Sequence, residues 1–273
     1  MDLRASFPVY QDQSRVGPFW LNLTLYPNYT YPKEYVIVHT QCRGTGCESC
    51  GGPSENVETT RSFGFRRACQ RGTQRTVLNG TMIHSEVSYP ITRLTKAIHM
   101  IRDPFENIVA RFHAETSHNP GKSLYNKTKE GFRAYCRSLN KQFPDGESTS
   151  ILFDKAWLDL SKDIPCGAQF FRWIEWHVQA FHLTEDLQLE TLVLVDESYD
   201  TKNFNTTCNR LLEFLSLTRH DDPEPSADEY KAKYHSYFTS EERQRMGQII
   251  QQKSSNIVWR YVSKYFLNVT VSD

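Results

Sequence analysis

KAIHMIRDPFENIVARFH, residues Lys96 to His113, decides the fold of this chain. Ala97, Ile98, Met100 and Ile101 form a short apolar run with the composition of a buried strand, and the run breaks at Arg102-Asp103-Pro104. Pro104 suits the first position of a helix, where a missing N–H leaves no hydrogen bond unmade. Ile108, Val109 and Phe112 then recur at helical spacing. The pattern predicts a strand over 97–101 and a helix over 104–115. Arg102 therefore stands at the carboxyl end of a strand and beside a helix start. In open α/β sheets ligands gather at that edge, and a guanidinium next to helix N–H groups suits a phosphate, which its planar fork grips bidentately. The alternative is a strand–helix corner whose arginine pairs with a surface carboxylate.

Outward from this segment the strand and helix signals alternate. Tyr35 to Thr40 and Thr191 to Val195 (TLVLV) read as strands; Phe132 to Leu139, Ala168 to Leu183 and Asn209 to Leu217 read as helices. Segments near 119–127, 143–150 and 221–226 are loop-like by their Gly, Pro and Asn content. Such alternation predicts an α/β fold with a central parallel sheet, and the length permits a single domain over 1–273 with a sizeable core. Internal repeats and low-complexity tracts are absent from the sequence.

The segment 96–113 resembles the 3′-phosphate-binding segment of sulfotransferases that use 3′-phosphoadenosine 5′-phosphosulfate (PAPS), in which an Arg precedes an acidic or amide residue and a Pro that opens a helix carrying a Ser. Ala110 takes the place of that Ser, and Arg111 beside it is a substitute ligand. The resemblance continues in chain order. Glu34 to Gln41 (EYVIVHTQ) is similar to the family's strand ending in Lys-Thr-His, and CRGTGCESCGG after it resembles a Cys-rich insertion of some eukaryotic members. Asp196-Glu197-Ser198-Tyr199 after the TLVLV strand resembles the family's acidic turn, with a helix following on schedule. YFTSEERQRMGQII and VWRYVSKYF look like its terminal helices.

The resemblance implies a three-layer sandwich of the P-loop NTPase-like kind and transfer of a sulfuryl group from PAPS to a hydroxyl on carbohydrate, without a metal. Two departures fall on the chemistry. Gln41 occupies the place of the family's general-base His and cannot take a proton; His39 lies on the same strand face and is either a displaced base or a structural histidine. The family's opening strand and Gly/Ser-rich phosphosulfate loop have no counterpart in residues 1–33, and FPVYQD (Phe7 to Asp12) resembles sequence that follows that loop and its helix. The first strand–loop–helix unit is therefore expected to be missing, by truncation or by degeneration into a non-catalytic relative.

Six Asn-x-Thr sequons, at Asn22, Asn28, Asn79, Asn126, Asn205 and Asn268, indicate a secretory-pathway lumen and imply several exposed turns. Residues 1–20 contain no signal-peptide core, and no run of about eighteen apolar residues occurs. Golgi members of the family are held by an N-terminal helix, so an anchor upstream is the expectation. Seven cysteines fit an oxidising compartment. Cys42, Cys47, Cys50 and Cys69 cluster, with either a disulfide-stapled loop or zinc as the reading, and an odd total leaves one thiol free or intermolecular among Cys136, Cys166 and Cys208.

The balance of 32 basic and 32 acidic residues gives no global attraction to nucleic acid or anionic membrane. Locally, RSFGFRRACQRGTQR (Arg61 to Arg75) holds five arginines and no acid. It is either a solvated face or a site for an anionic ligand or acidic glycan, with Arg66 and Arg67 as contacts. A secreted, non-catalytic glycan binder on the same fold is thus the rival to the enzyme. On the helix 168–183, Phe170, Phe171, Trp173, Trp176, His177 and Phe181 form a stripe that is either core or one wall of an acceptor pocket, with Trp176 and His177 as the contacts and Glu175 as a possible alternative base.

Overall fold

The structure, a computed structural model, describes residues 9–11, 37–39, 69, 71–78, 81–88, 94–118, 125–140, 155–195, 204–217 and 237–267. The chain divides into two units, residues 1–95 and 96–273. In the first, β1 (Val9–Gln11) and β2 (Ile37–His39) pair in parallel, with Gln11 opposite His39. β3 (Arg71–Leu78) and β4 (Thr81–Ser88) form an antiparallel ribbon running from Arg71 opposite Ser88 to Leu78 opposite Thr81. Only Asn79-Gly80 separates the two strands in sequence, the dipeptide that two-residue hairpin loops favour. Arg71 and Arg75, the last arginines of the basic stretch, stand in β3, a strand that charge alone does not reveal. Cys69 is buried and disulfide-bonded, which removes it from any zinc ligand set.

In the second unit β5 (Lys96–Ile101) and β6 (Glu190–Val195) pair in parallel, from Lys96 opposite Glu190 to Ile101 opposite Val195. Parallel neighbours need a long crossover. It contains α1 (Pro104–His118), α2 (Lys129–Asn140), α3 (Lys155–Ser161) and α4 (Gly167–Asp186). After β6 come α5 (Phe204–Phe214), which packs on β6, then α6 (Ser240–Lys253), α7 (Asn256–Val262) and α8 (Lys264–Leu267). The described part of this unit is α/β and mostly helical, with parallel strand pairing as expected.

Side chains and backbone turns set the helix ends. Thr128 Oγ1 accepts the Gly131 N–H at 3.1 Å ahead of α2. Thr239 and Glu242 form a capping box at α6, each accepting from the other's backbone N–H. Glu242 also takes the Arg133 guanidinium on both oxygens, at 2.5 and 3.1 Å, and so ties α2 to α6. α4 and α5 both end in left-handed residues, Gln188 at φ 52° and Ser216 at φ 55°. At each, two N–H groups fold back onto the last turn: Gln188 to Glu185 and Leu189 to Thr184, then Ser216 to Glu213 and Leu217 to Leu212. The helix expected over 209–217 is thereby corrected to Phe204–Phe214.

The core joins β5 and α1 to the later helices. Phe105 and Phe112, both fully buried, hold α1 in place. The Phe105 ring lies 4.7 Å from Phe170, 5.0 Å from Phe238 and 5.5 Å from Phe266. Cys136 on α2 is bonded to Cys166, the residue before α4, with Cα atoms 4.4 Å apart. Those two cysteines therefore leave the set of candidates for the odd thiol, and Cys208 is a buried thiol on α5.

Candidate functional site

The corner after β5 positions the residues the sequence singles out. Asp103 caps α1: its Oδ1 accepts the Phe105 N–H at 2.8 Å and lies 3.4 Å from the Glu106 nitrogen, and its carbonyl accepts the Asn107 N–H at 2.9 Å. Two of the first-turn N–H groups are thus engaged by the chain's own carboxylate. An anion at this corner must rely on side chains. Arg102 is half-buried here and takes part in interactions within the chain.

A second arginine lies at the same corner. Arg243, on α6, is only 8% exposed, and its guanidinium carbon stands 4.4 Å from the Phe105 ring centroid. Burial pulls this guanidinium below its usual range, while the carboxylates of Asp103 and Glu106 pull it back up. Glu106 is itself buried. Behind the corner the Tyr265 hydroxyl reaches the Ile101 carbonyl at 3.5 Å. Arg243 escapes a motif search because nothing local marks it. Its one signal is periodic: with Met246, Gly247 and Ile250 it repeats at i, i+3, i+4 and i+7, so it occupies the first place in the buried stripe of α6.

The other expected contacts are distributed differently. Ala110 is half-buried in α1, and Arg111 is exposed, its guanidinium donating to Gln169 Oε1 at 3.2 Å at the start of α4. On α4, His177 is 4% exposed and packs edge-on to Trp173 and Trp176 at 4.6 and 5.0 Å; Trp176 is half-buried. Glu175 is buried as well. An acceptor touching His177 would have to enter the core, so packing accounts for most of this stripe. His99 on β5 is also buried, with its ring edge-on to Phe181 at 4.6 Å. His39 is in β2, whereas Gln41, Arg66 and Arg67 lie outside the described residues.

Among the described residues, no three or more His, Cys, Asp or Glu side chains are grouped to hold a metal, and no helix is long and apolar enough to cross a membrane. Of the sequon asparagines, Asn126 and Asn205 are described and both are exposed, the first in the irregular segment just before α2 and the second in the first turn of α5. Compared with known proteins the chain has no match: no family model, no curated protein and no solved structure matches it.

Proposed function

We propose that this chain is a sulfotransferase of the secretory-pathway lumen, in the Golgi, that moves a sulfuryl group from PAPS to a hydroxyl on carbohydrate. The fold in this reading is the three-layer sandwich of the P-loop NTPase-like kind. The observation that carries it is the corner itself: β5, paired in parallel with β6, is followed by Arg102 and passes through Asp103-Pro104 directly into α1. A parallel strand's carboxyl end, followed by an arginine and a helix, is where α/β proteins take phosphorylated ligands.

In the reaction the bond between sulfur and the donor's bridging phosphate oxygen breaks, a bond from sulfur to the acceptor oxygen forms, and the hydroxyl proton passes to a base. In-line geometry and cations near the bridging oxygen supply the rate. Arg102 holds the 3′-phosphate, with Arg111, beside the Ala110 that stands at the family's Ser position, as the substitute ligand. Gln41 cannot accept the proton; His39, two residues earlier on the strand, is the base in this assignment. Glu175, buried in α4, is poorly placed to meet a solvent-borne acceptor.

The test is titration calorimetry with adenosine 3′,5′-bisphosphate. The chain should bind it at micromolar levels, and Arg102→Ala should weaken binding by about 2 kcal/mol through loss of a charge-assisted contact. Unchanged affinity in the variant would refute the site. One observation favours a second reading, a non-catalytic binder of anionic glycans. Arg71 and Arg75 fall on one strand of a paired ribbon, with Arg75 opposite His84, so that part of the basic stretch is ordered rather than loose. Heparin binding that persists in Arg102→Ala and disappears in Arg71→Ala/Arg75→Ala, with no bisphosphate bound, would favour it.

A further inference from the structure

We infer that Arg243 is a positioning residue for the anion site at Arg102: held over Phe105, it offsets part of the negative charge of Asp103 and Glu106 and so weakens their repulsion of a bound phosphate. The inference rests on the nucleotide-binding reading above and adds a residue from a distant part of the chain to it. The corner needs Asp103, because that carboxylate caps α1 through the Phe105 N–H. Glu106 follows within the same helical turn and is buried. Two carboxylates beside Arg102 would leave the corner negative, and a phosphate dianion approaching it would meet repulsion that one guanidinium cannot offset.

Arg243 restores the balance without competing for the ligand. Its guanidinium lies on the Phe105 ring, and that ring is fully buried against Phe170, Phe238 and Phe266. The platform is therefore rigid, and the cation stays beside the carboxylates instead of moving to solvent. Burial would be costly for an isolated guanidinium, but Asp103 and Glu106 compensate it, so each side of the cluster requires the other. With Arg243 present the two guanidinium charges balance the two carboxylates, so Arg102 can grip an anion without a net negative corner opposing it; without Arg243 the carboxylates outweigh Arg102.

The test is titration of the full chain with adenosine 3′,5′-bisphosphate at low and high salt, with thermal unfolding of each variant measured alongside. Arg243→Gln should weaken binding about tenfold at low salt and less at high salt, because the effect is a charge effect. Adding Glu106→Gln to Arg243→Gln should recover most of that loss, a rescue that a merely structural role does not predict. Asp103→Asn alone, which keeps a capping oxygen, should tighten binding about threefold, and it stands as the test if Arg243→Gln does not fold. Wild-type affinity in Arg243→Gln, no rescue by Glu106→Gln, or no tightening in Asp103→Asn overturns the inference. A wild-type chain that does not bind the bisphosphate overturns the nucleotide reading and this inference with it. A wild-type chain that binds, with variants insensitive to these charges, overturns this inference alone.

Discussion

His99 and His177 are neutral residues in a place where a charge has no support. Each is almost wholly buried, among aromatic rings, and each has an Nδ1 with no hydrogen-bond partner. Burial lowers His99 to about 4; burial, then the neighbouring charge of His99, lowers His177 to about 3. Unfolded, both return to the ordinary value of 6.5. Below that pH the unfolded chain binds protons that the folded chain refuses, so stability is intact above pH 6.5 and falls as the pH drops, until each folded-state value is reached. Each histidine should remove roughly 2 kcal/mol between pH 7 and 5. Denaturant unfolding at the two pH values checks this; a flat profile, or one that His177→Gln does not flatten, contradicts it. At this scale the sequence is readable only in part. Arg102 shows itself through its neighbours, Asp103 and Pro104. His177 is readable as an aromatic-stripe residue, but its burial depends on how α4 packs. Arg243 matters through Phe105, Asp103 and Glu106, and no local pattern links residues so far apart.

The elements were more legible than their ends. β5, β6 and α4 carry apolar runs or stripes that mark the element, and their observed bounds differ from the expected ones by a few residues at most, although the strands are only partly buried and Met100, read as part of a buried run, is exposed. α5 was less so, because its termination at Ser216 uses a left-handed residue that is not glycine, and the usual stop signal is missing. The ribbon of β3 and β4 was hidden by its arginines, although Thr73, Thr76, Val77, Ile83 and Val87 are β-formers around an Asn-Gly pair. The same reasoning predicts an improvement. Gln188 ends α4 at φ 52°, where a side chain is strained and glycine is not. Gln188→Gly should stabilise the protein by about 0.5–1 kcal/mol, seen as a higher denaturation midpoint. A lower midpoint would mean that the Gln188 side chain contributes more than its backbone conformation costs.

For the molecule as a whole, the bond between Cys136 and Cys166 is the feature that sequence could not supply. Seven cysteines imply disulfides, but pairing is decided by which helices meet, and only the packing of α2 beside the start of α4 brings these two together. The bond closes a loop with a sequence separation of 30 residues, and chain-entropy reasoning assigns it about 3.5 kcal/mol. Cys136→Ala/Cys166→Ala should lower the unfolding free energy by about that amount, measured in denaturant without reductant; an unchanged midpoint would show that the helices hold the junction unaided. The same loop determines how the molecule would come apart under proteolysis. A single cut between α2 and α3 severs the backbone but not the covalent connection, so the two pieces would migrate as one species on a gel until a thiol is added, and as two fragments afterwards.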